Sequence, residues 1–271
     1  MEIDWGDFFK NYSWIFAVLA TFTGASIAQI VSYRFTLKKD AQQYDRECYQ
    51  NLYSPIIYKV LLYYDVKTIY RKDQLKAEFT EDKIFEEILQ IFSENLKYAT
   101  PNLISVYENV KKRDIYDDFS GQRDNISEIE FCFALLEEGA KNAERLEIKD
   151  ISNQFMKYRM LYGIWVVVSR NYGYPVGYQL MRHDWMMQSD VNMKKNKEML
   201  KIINKALNIS FSSWLSGALY VSKTIVFELW GSKGIKDIRE GYGGLDNPVE
   251  VMGQVLRDQG ASESDLRRMN L

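Results

Sequence analysis

The run YSWIFAVLATFTGASIAQIVSY, residues 12–33, contains no charged side chain. In an α-helix, which rises ~1.5 Å per residue, a run of this length reaches about 33 Å, enough to cross the hydrocarbon core of a bilayer. Tyr12, Trp14 and Tyr33 lie near its ends, where amphipathic rings favour the lipid headgroup layer. The sequence therefore predicts a transmembrane helix over residues 12–33 and a membrane location.

The charges on either side of this run are distributed unequally. Acidic residues outnumber basic ones in residues 1–11, whereas three basic residues follow the run closely, Arg34, Lys38 and Lys39. Because basic flanks favour the cytoplasmic side, we expect a single-pass inner-membrane protein with residues 1–11 outside and the remaining bulk in the cytoplasm. The alternative is a secretory signal peptide cleaved before Gln29, but such peptides begin with a basic region and this chain begins with an acidic one.

Small residues recur on one face of the predicted span. Ala20, Gly24 and Ala28 are spaced four residues apart, and Gln29 lies beside them. Small side chains let a second backbone approach closely, and an amide can hydrogen-bond across the pair. These residues are therefore a candidate homodimer face, although small residues are also simply frequent in membrane-spanning helices.

The composition limits the class of protein and its partners. The chain has 271 residues, of which 46% are hydrophobic and 14% aromatic, enough to support a large folded core. Its formal net charge is −2, so there is no overall basic field, and nucleic acid is an unlikely partner. Two widely spaced cysteines, Cys48 and Cys132, fit reduced thiols in the cytoplasm better than a disulfide framework.

The part of the chain after the predicted span contains residues that typically mark the starts and ends of helices. Capping residues precede proline at three positions: Ser54-Pro55, Thr100-Pro101 and Asn247-Pro248. Thr80 is a further candidate N-cap, and Asn125 with Glu128 has capping-box spacing. Apolar residues recur at helical spacing between these signals, and the glycine- and proline-containing segment 171–177 is the clearest predicted loop.

These signals predict an all-α fold with four parts after the short extracytoplasmic N-terminus. We expect the transmembrane helix 12–33, a helical stalk 34–54, a cytoplasmic helical-bundle domain 55–259, and a mobile tail 260–271. The segment 164–168 is apolar on every side, which places its helix near the centre of the bundle. The domain should contain about seven or eight helices.

Two later segments have features of membrane contact. Four lysines recur along one face of a predicted helix: Lys194, Lys197, Lys201 and Lys205. They form a candidate stripe facing anionic lipid, or alternatively an ordinary solvated face of a bundle helix. Residues 209–230 are the second long apolar segment, but Lys223 and Glu228 lie within it, which favours a buried domain helix over a second span.

Residues with catalytic chemistry are few. The single histidine, His183, precedes an aspartate, but a His-Asp metal site needs further histidine ligands that this sequence lacks. Cys132 falls on an apolar helical stripe, where cysteine behaves as a small hydrophobe rather than a nucleophile. No phosphate-binding loop, dinucleotide fingerprint, zinc-ligand spacing or nucleophile elbow occurs. We therefore predict no catalytic, metal-binding or cofactor-binding residue, and no cofactor.

Aromatic residues supply the best candidate for a protein contact. The chain has 19 tyrosines, and several surround a proline in the segment Tyr172, Tyr174, Pro175 and Tyr178. Tyrosine buries a large ring and keeps one polar tip, which suits binding surfaces as well as the rim of a core. The leading functional hypothesis is a membrane-tethered, non-enzymatic interaction, scaffold or sensor protein that holds a cytoplasmic protein partner at the bilayer. The alternative is a membrane-acting effector, of toxin or phage-defence type, whose segment 209–230 inserts.

Overall fold

The computed structural model describes residues 5–69, 75–112, 125–148, 152–182 and 193–207, and a few isolated positions after 249. Regular structure in these ranges is helical throughout, which confirms the predicted all-α class. The α-helices are α1 Trp5–Cys48, α2 Ser54–Thr68, α3 Glu81–Glu94, α4 Pro101–Lys111, α5 Asn125–Arg145, α6 Ser152–Tyr172, α7 Tyr174–Met181 and α8 Met193–Leu207. A π-helical turn, Tyr49–Tyr53, separates α1 from α2, and a 3₁₀ turn, Leu96–Tyr98, lies between α3 and α4.

The chain divides into two compact units, 1–47 and 48–271. In the first unit, α1 runs without interruption through the uncharged run and its basic flank. Many large apolar side chains of this helix are exposed: Trp14, Val18, Leu19, Phe22, Ile27, Ile30, Val31, Tyr33, Phe35 and Leu37. Apolar surface of this extent needs a covering partner or lipid.

The predicted membrane span gains no direct support from the helices that the structure describes. Among the described residues, none of the helices has both the length and the apolar character required to cross a membrane. The side chains of three apolar residues within the run, Ile15, Phe16 and Ala17, lie outside the described set. The span over 12–33 therefore remains a proposal.

The helix-start predictions have mixed outcomes. Thr80 and Thr100 are confirmed as N-caps, because their hydroxyls accept hydrogen bonds from the amides of Lys83 at 3.4 Å and Leu103 at 3.3 Å. Ser54 is not a cap: it already has helical dihedral angles, φ −56° and ψ −46°, and the backbone passes helically from the π turn into α2. Pro55 is tolerated there because it lies in the first turn of α2.

The second unit is organised around α6. The side chains at 164–168 are all buried, as their apolar character on every side predicts, and α6 packs against α5, α7 and α8. Gly163 allows α8 to approach closely, since an added Cβ would lie 2.8 Å from Ile203 Cγ2 and 3.0 Å from Phe133 Cε2. A buried central helix of this kind fixes the positions of the helices around it.

The predicted loop over 171–177 is wrong except at one residue. Gly173 alone interrupts the helices, with φ +90°, a left-handed conformation that favours glycine. Pro175 and Gly177 both belong to α7. Proline is compatible with the first turn, and Gly177 lets α7 pack closely on α6, so neither breaks the helix.

The amphipathic helix of the lysine stripe is α8. Its apolar residues Leu200 and Ile203 are buried, and α8 packs on α6, while Lys201 and Lys205 are exposed. Any contact of α8 with lipid would therefore use its lysine side, and the lipid-facing stripe stays a prediction. The side chains of Lys194 and Lys197 lie outside the described residues, as do Asn247-Pro248, segment 209–230 and most of the tail 260–271.

Candidate functional site

A buried ionic triad joins α2 to α5. The Lys67 Nζ donates to Glu128 Oε2 at 2.8 Å and to the Tyr63 hydroxyl oxygen at 2.5 Å. The Tyr63 hydroxyl in turn donates to Glu128 Oε2 at 2.6 Å. Lys67 is 5% exposed and Glu128 3%, so this ion pair lies inside the bundle rather than on its surface. Buried charges are tolerated only when paired and hydrogen-bonded, and this pair meets both conditions.

The sequence positions the triad through two simple spacings. Tyr63 and Lys67 are four residues apart, which places them on one face of α2, one above the other. Glu128 lies in the first turn of α5, three residues after Asn125. The capping-box interpretation of Glu128 missed its carboxylate's contact with a lysine 61 residues earlier in the chain.

An aromatic stack adjoins the triad. Trp165 lies at the centre of this stack, with ring centroids 5.8 Å from Tyr64, 6.1 Å from Tyr162, 6.0 Å from Tyr174 and 6.4 Å from Tyr178. The Tyr174 and Tyr178 rings are themselves stacked at 5.9 Å. Offset and edge-to-face ring pairs of this kind stabilise a core beyond the apolar area they bury.

The stack brings two of the predicted contact residues to the triad. The ring of Tyr174 lies 5.9 Å from Lys67 Nζ, and the Arg182 guanidinium lies 5.8 Å from the ring of Tyr178. Both tyrosines are half-buried, while Pro175 between them is exposed. Tyr172 belongs to α6, but its side chain is outside the described residues. The triad and the tyrosine segment therefore form one site, which we call the α7 site.

Burial controls the chemistry of the groups in and around this site. Burial raises the pKa of Cys132, an effect partly offset by its hydrogen bond with Tyr162 and reinforced by the charge of Glu128. The pKa of Tyr63 is raised by burial and by the nearby Glu128 carboxylate, and burial also raises that of Tyr162. Cys132 is buried, as its apolar stripe predicts, and a raised pKa disfavours the thiolate, which is the nucleophilic form.

The buried triad links α2 to α5 through an ion pair and two further hydrogen bonds. A lysine beside a tyrosine hydroxyl and a carboxylate can relay a proton, but only to a substrate that reaches it. All three side chains are buried in this conformation. Within the described segments, no three His, Cys, Asp or Glu side chains lie together in a way that can hold a metal ion. His183 lies outside those segments.

The candidate dimer face belongs to the first unit. Ala20, Gly24, Ala28 and Gln29 are all exposed along α1. A Cβ added at Gly24 would have no neighbouring atom within 4 Å, so the face is open to a second backbone. Dimerisation through this face stays a prediction.

Comparison with known proteins gives no assignment. The chain matches no protein-family model, no curated protein and no solved structure. The function must therefore be inferred from the residues and their geometry.

We expect the stability of the second unit to fall at alkaline pH. A pKa that is higher in the folded than in the unfolded state gives stabilisation that is complete below the unfolded value and lost as pH rises above it. The reference values are 9.0 for Cys132 and 10.0 for Tyr63 and Tyr162. Each such group should therefore lower the free energy of unfolding by about 1.4 kcal/mol per pH unit above its unfolded pKa.

Urea titrations of the full chain in detergent at pH 8, 9 and 10 measure this loss. The control is Cys132→Ala, which should lose less stability than wild type between pH 9 and pH 10, because one of the titrating groups is absent. Parallel curves for the two proteins would show that Cys132 titrates normally and would contradict its raised pKa.

Proposed function

We propose that this chain is a single-pass, membrane-tethered protein without catalytic activity, whose helical unit holds or senses a cytoplasmic partner at the bilayer. The observation that carries the proposal is the exposure of apolar side chains along α1. Phe22 is 74% exposed and Trp14 66%, in a helix whose uncharged run is 22 residues long. A lipid bilayer is the environment that matches both the length of this run and its lack of charge.

The distribution of these side chains around α1 favours lipid over a single partner helix. Val18 and Ile27 are nine residues apart, as are Phe22 and Val31, and at about 100° per residue each pair lies on opposite sides of the helix. All four side chains are exposed. One packed helix covers only one side, whereas a bilayer surrounds the whole circumference.

The polar residues of the run are compatible with this environment. The Thr23 hydroxyl donates to the Leu19 carbonyl at 2.6 Å, so it needs no water to satisfy it. A second polar residue, Gln29, adjoins the small-residue face, where an amide can hydrogen-bond to another copy of the helix. We therefore include in the proposal a homodimer formed through Ala20, Gly24 and Ala28.

The proposed partner contact is the exposed edge of the α7 site. Pro175 is exposed, and the flanking rings of Tyr174 and Tyr178 are half-buried and held in place by Trp165. Rigid aromatic rings at a surface edge give contact area at little cost in conformational entropy. A partner protein is thus expected to touch the first turn of α7.

A charge placed in the run should release the chain from membranes. We expect Phe22→Arg to lower the fraction retained after carbonate washing, because an arginine near the centre of a span costs about 2.5 to 3.5 kcal/mol on insertion scales. Fractionation of cells that produce the full-length chain, followed by immunoblotting, measures this. The matched control is Tyr58→Arg, since Tyr58 is 70% exposed but lies on α2 in the second unit. Release of the wild-type chain by carbonate, or full retention of Phe22→Arg, would overturn the tether.

Site-specific photocrosslinking tests the partner contact. A photoreactive phenylalanine analogue at position 175 should give a discrete adduct in intact cells, whereas the same group at position 58, which is also exposed, should not. Adducts at both positions, or at neither, would contradict a specific contact at α7.

A further inference from the structure

Two buried polar atoms on α6 face α7 without a hydrogen-bond partner. They are the Trp165 Nε1 and the Ser169 Oγ, and both side chains are 1% exposed or less. They lie one helical turn apart and therefore on the same face of α6. The large majority of buried polar side-chain atoms in proteins have a partner, so two neighbouring exceptions require an explanation.

The backbone of α7 comes close to both side chains at Gly177. A Cβ added at Gly177 would lie 3.1 Å from Trp165 Cδ1 and 3.2 Å from the Ser169 amide nitrogen, and it would collide with the Ser169 Oγ. Gly177 thus packs closely against both side chains, while the Trp165 Nε1 and the Ser169 Oγ have no acceptor. In the closed arrangement, α7 covers two donors that water would otherwise satisfy.

The connection between α6 and α7 is suited to movement. A single residue, Gly173, separates the two helices, and its φ of +90° is open to glycine at no steric cost. The α7 helix has only eight residues, and its first turn lies over the buried triad through Tyr174. Hinges are a few residues at the ends of elements that absorb a change in backbone dihedral angles.

Other contacts hold α7 against the bundle. Val176, Leu180 and Met181 are buried, and the Tyr64 hydroxyl points at the Met181 sulfur at 3.6 Å. The closed state therefore retains its apolar contacts but leaves two donors unsatisfied. Opposing contributions of this kind are expected of a segment that opens locally without global unfolding.

We propose that α7 is a lid, hinged at Gly173, that opens to uncover Trp165, Ser169 and the adjoining Lys67–Glu128 pair. Opening exposes the Trp165 N–H and the Ser169 O–H to solvent and frees the ring of Trp165 from Tyr174. The inference concerns the second unit alone. The lid does not depend on the membrane tether. If the tether is wrong, cell fractionation will show it, whereas the measurements below test only the lid.

Thiol labelling of a buried position on α7 tests the lid. Both native cysteines are replaced by alanine in the full chain, and Val176→Cys is introduced as the reporter. The matched control is Val60→Cys in the same background, because Val60 is equally buried but lies on α2. The rate of reaction with a thiol reagent is measured from zero to moderate urea concentration, with circular dichroism to confirm that both proteins are folded.

We expect the cysteine at 176 to react at least about tenfold faster than the one at 60, with a rate that depends only weakly on urea. Local opening exposes little surface and is therefore insensitive to denaturant, whereas global unfolding is strongly sensitive. Equal rates with the same steep urea dependence at both positions would overturn the lid. Amide hydrogen exchange of α7 in the wild-type chain gives the same distinction without any substitution.

Two further substitutions shift the proposed equilibrium in opposite directions. Ser169→Ala removes an unsatisfied hydroxyl and should slow labelling at 176 about fivefold, because the closed state no longer buries that donor. Gly177→Ala crowds Ser169 and should accelerate labelling about tenfold. If neither substitution changes the labelling rate at 176, the contact between Gly177 and Ser169 does not control α7, and the inference fails.

Discussion

Glu128→Leu should lower the free energy of unfolding of the helical unit by about 3–5 kcal/mol, because it leaves a buried ammonium group without its carboxylate. Lys67 is 5% exposed, and its Nζ donates to Glu128 and to Tyr63. Leucine at 128 would also leave the Tyr63 hydroxyl facing an apolar group. At roughly 2–4 °C per kcal/mol for a unit of this size, the midpoint of thermal unfolding should fall by about 10 °C.

The double variant Lys67→Met/Glu128→Leu should recover most of this loss. Replacing a complete buried ion pair with apolar residues is often neutral or stabilising, because no charge then remains to be desolvated. A double-mutant cycle by urea denaturation gives the coupling between the two residues directly. Glu87→Leu is the control: it breaks the partly exposed pair with Lys59, whose atoms are 2.6 Å apart, and should cost about 1 kcal/mol or less. Equal losses from Glu87→Leu and Glu128→Leu would show that the triad is no stronger than a surface pair.

Local features of the sequence predicted local features of the fold. Thr80 and Thr100 were identifiable as N-caps because the cap hydroxyl and the amide it accepts from are three residues apart. Residues 164–168 are apolar on every side of the helix and not on one face only, which correctly predicted that all five are buried. In each case the residues that determine the feature lie within about one helical turn of each other, so the feature can be recognised from the local sequence.

The site depends on contacts that no local pattern contains. Lys67 and Glu128 are 61 residues apart, and each has an ordinary local explanation, as a last-turn cation and a first-turn anion. Their pairing follows from how α2 packs on α5. One weak signal was present: Lys67 continues the face of α2 that carries Val60 and Tyr63, where an apolar residue is expected.

The error at 171–177 has a similar origin. Two glycines and a proline within five residues are typical of a loop, and only tertiary packing shows that Pro175 and Gly177 fit a helix. Gly177 lies within α7 at a point where α6 comes too close for a side chain, and that close approach is a property of the packed bundle. Tyr174 and Tyr178 stack on each other and pack on Trp165, and their spacing in the sequence did not predict the contact with Trp165.

Trp165→Ala should cost the helical unit about 3–5 kcal/mol, the range measured when a buried aromatic residue is truncated to alanine. Trp165 is 0% exposed and lies at the centre of the aromatic stack, so its loss leaves a cavity between α6, α2 and α7. Tyr174 and Tyr178 would lose the ring against which they pack. The exchange of α7 amides should therefore accelerate more than that of α3 amides, since α3 packs chiefly on α2.

Two controls separate the contribution of the ring from that of its N–H. Trp165→Phe keeps an aromatic ring and removes the unpartnered Nε1, so its loss should be clearly smaller than that of alanine, because removing an unsatisfied donor offsets part of the lost volume. Trp14→Ala removes a tryptophan that is 66% exposed on α1 and should leave the unfolding of the second unit unchanged.

The measurement is urea denaturation followed by circular dichroism, with hydrogen exchange resolved by helix. If Trp165→Ala unfolds at the wild-type urea concentration, or if α3 and α7 exchange accelerate equally, the indole does not hold α7 in place. The aromatic stack would then result from packing elsewhere in the bundle, and it would not be the surface that holds α7 in position.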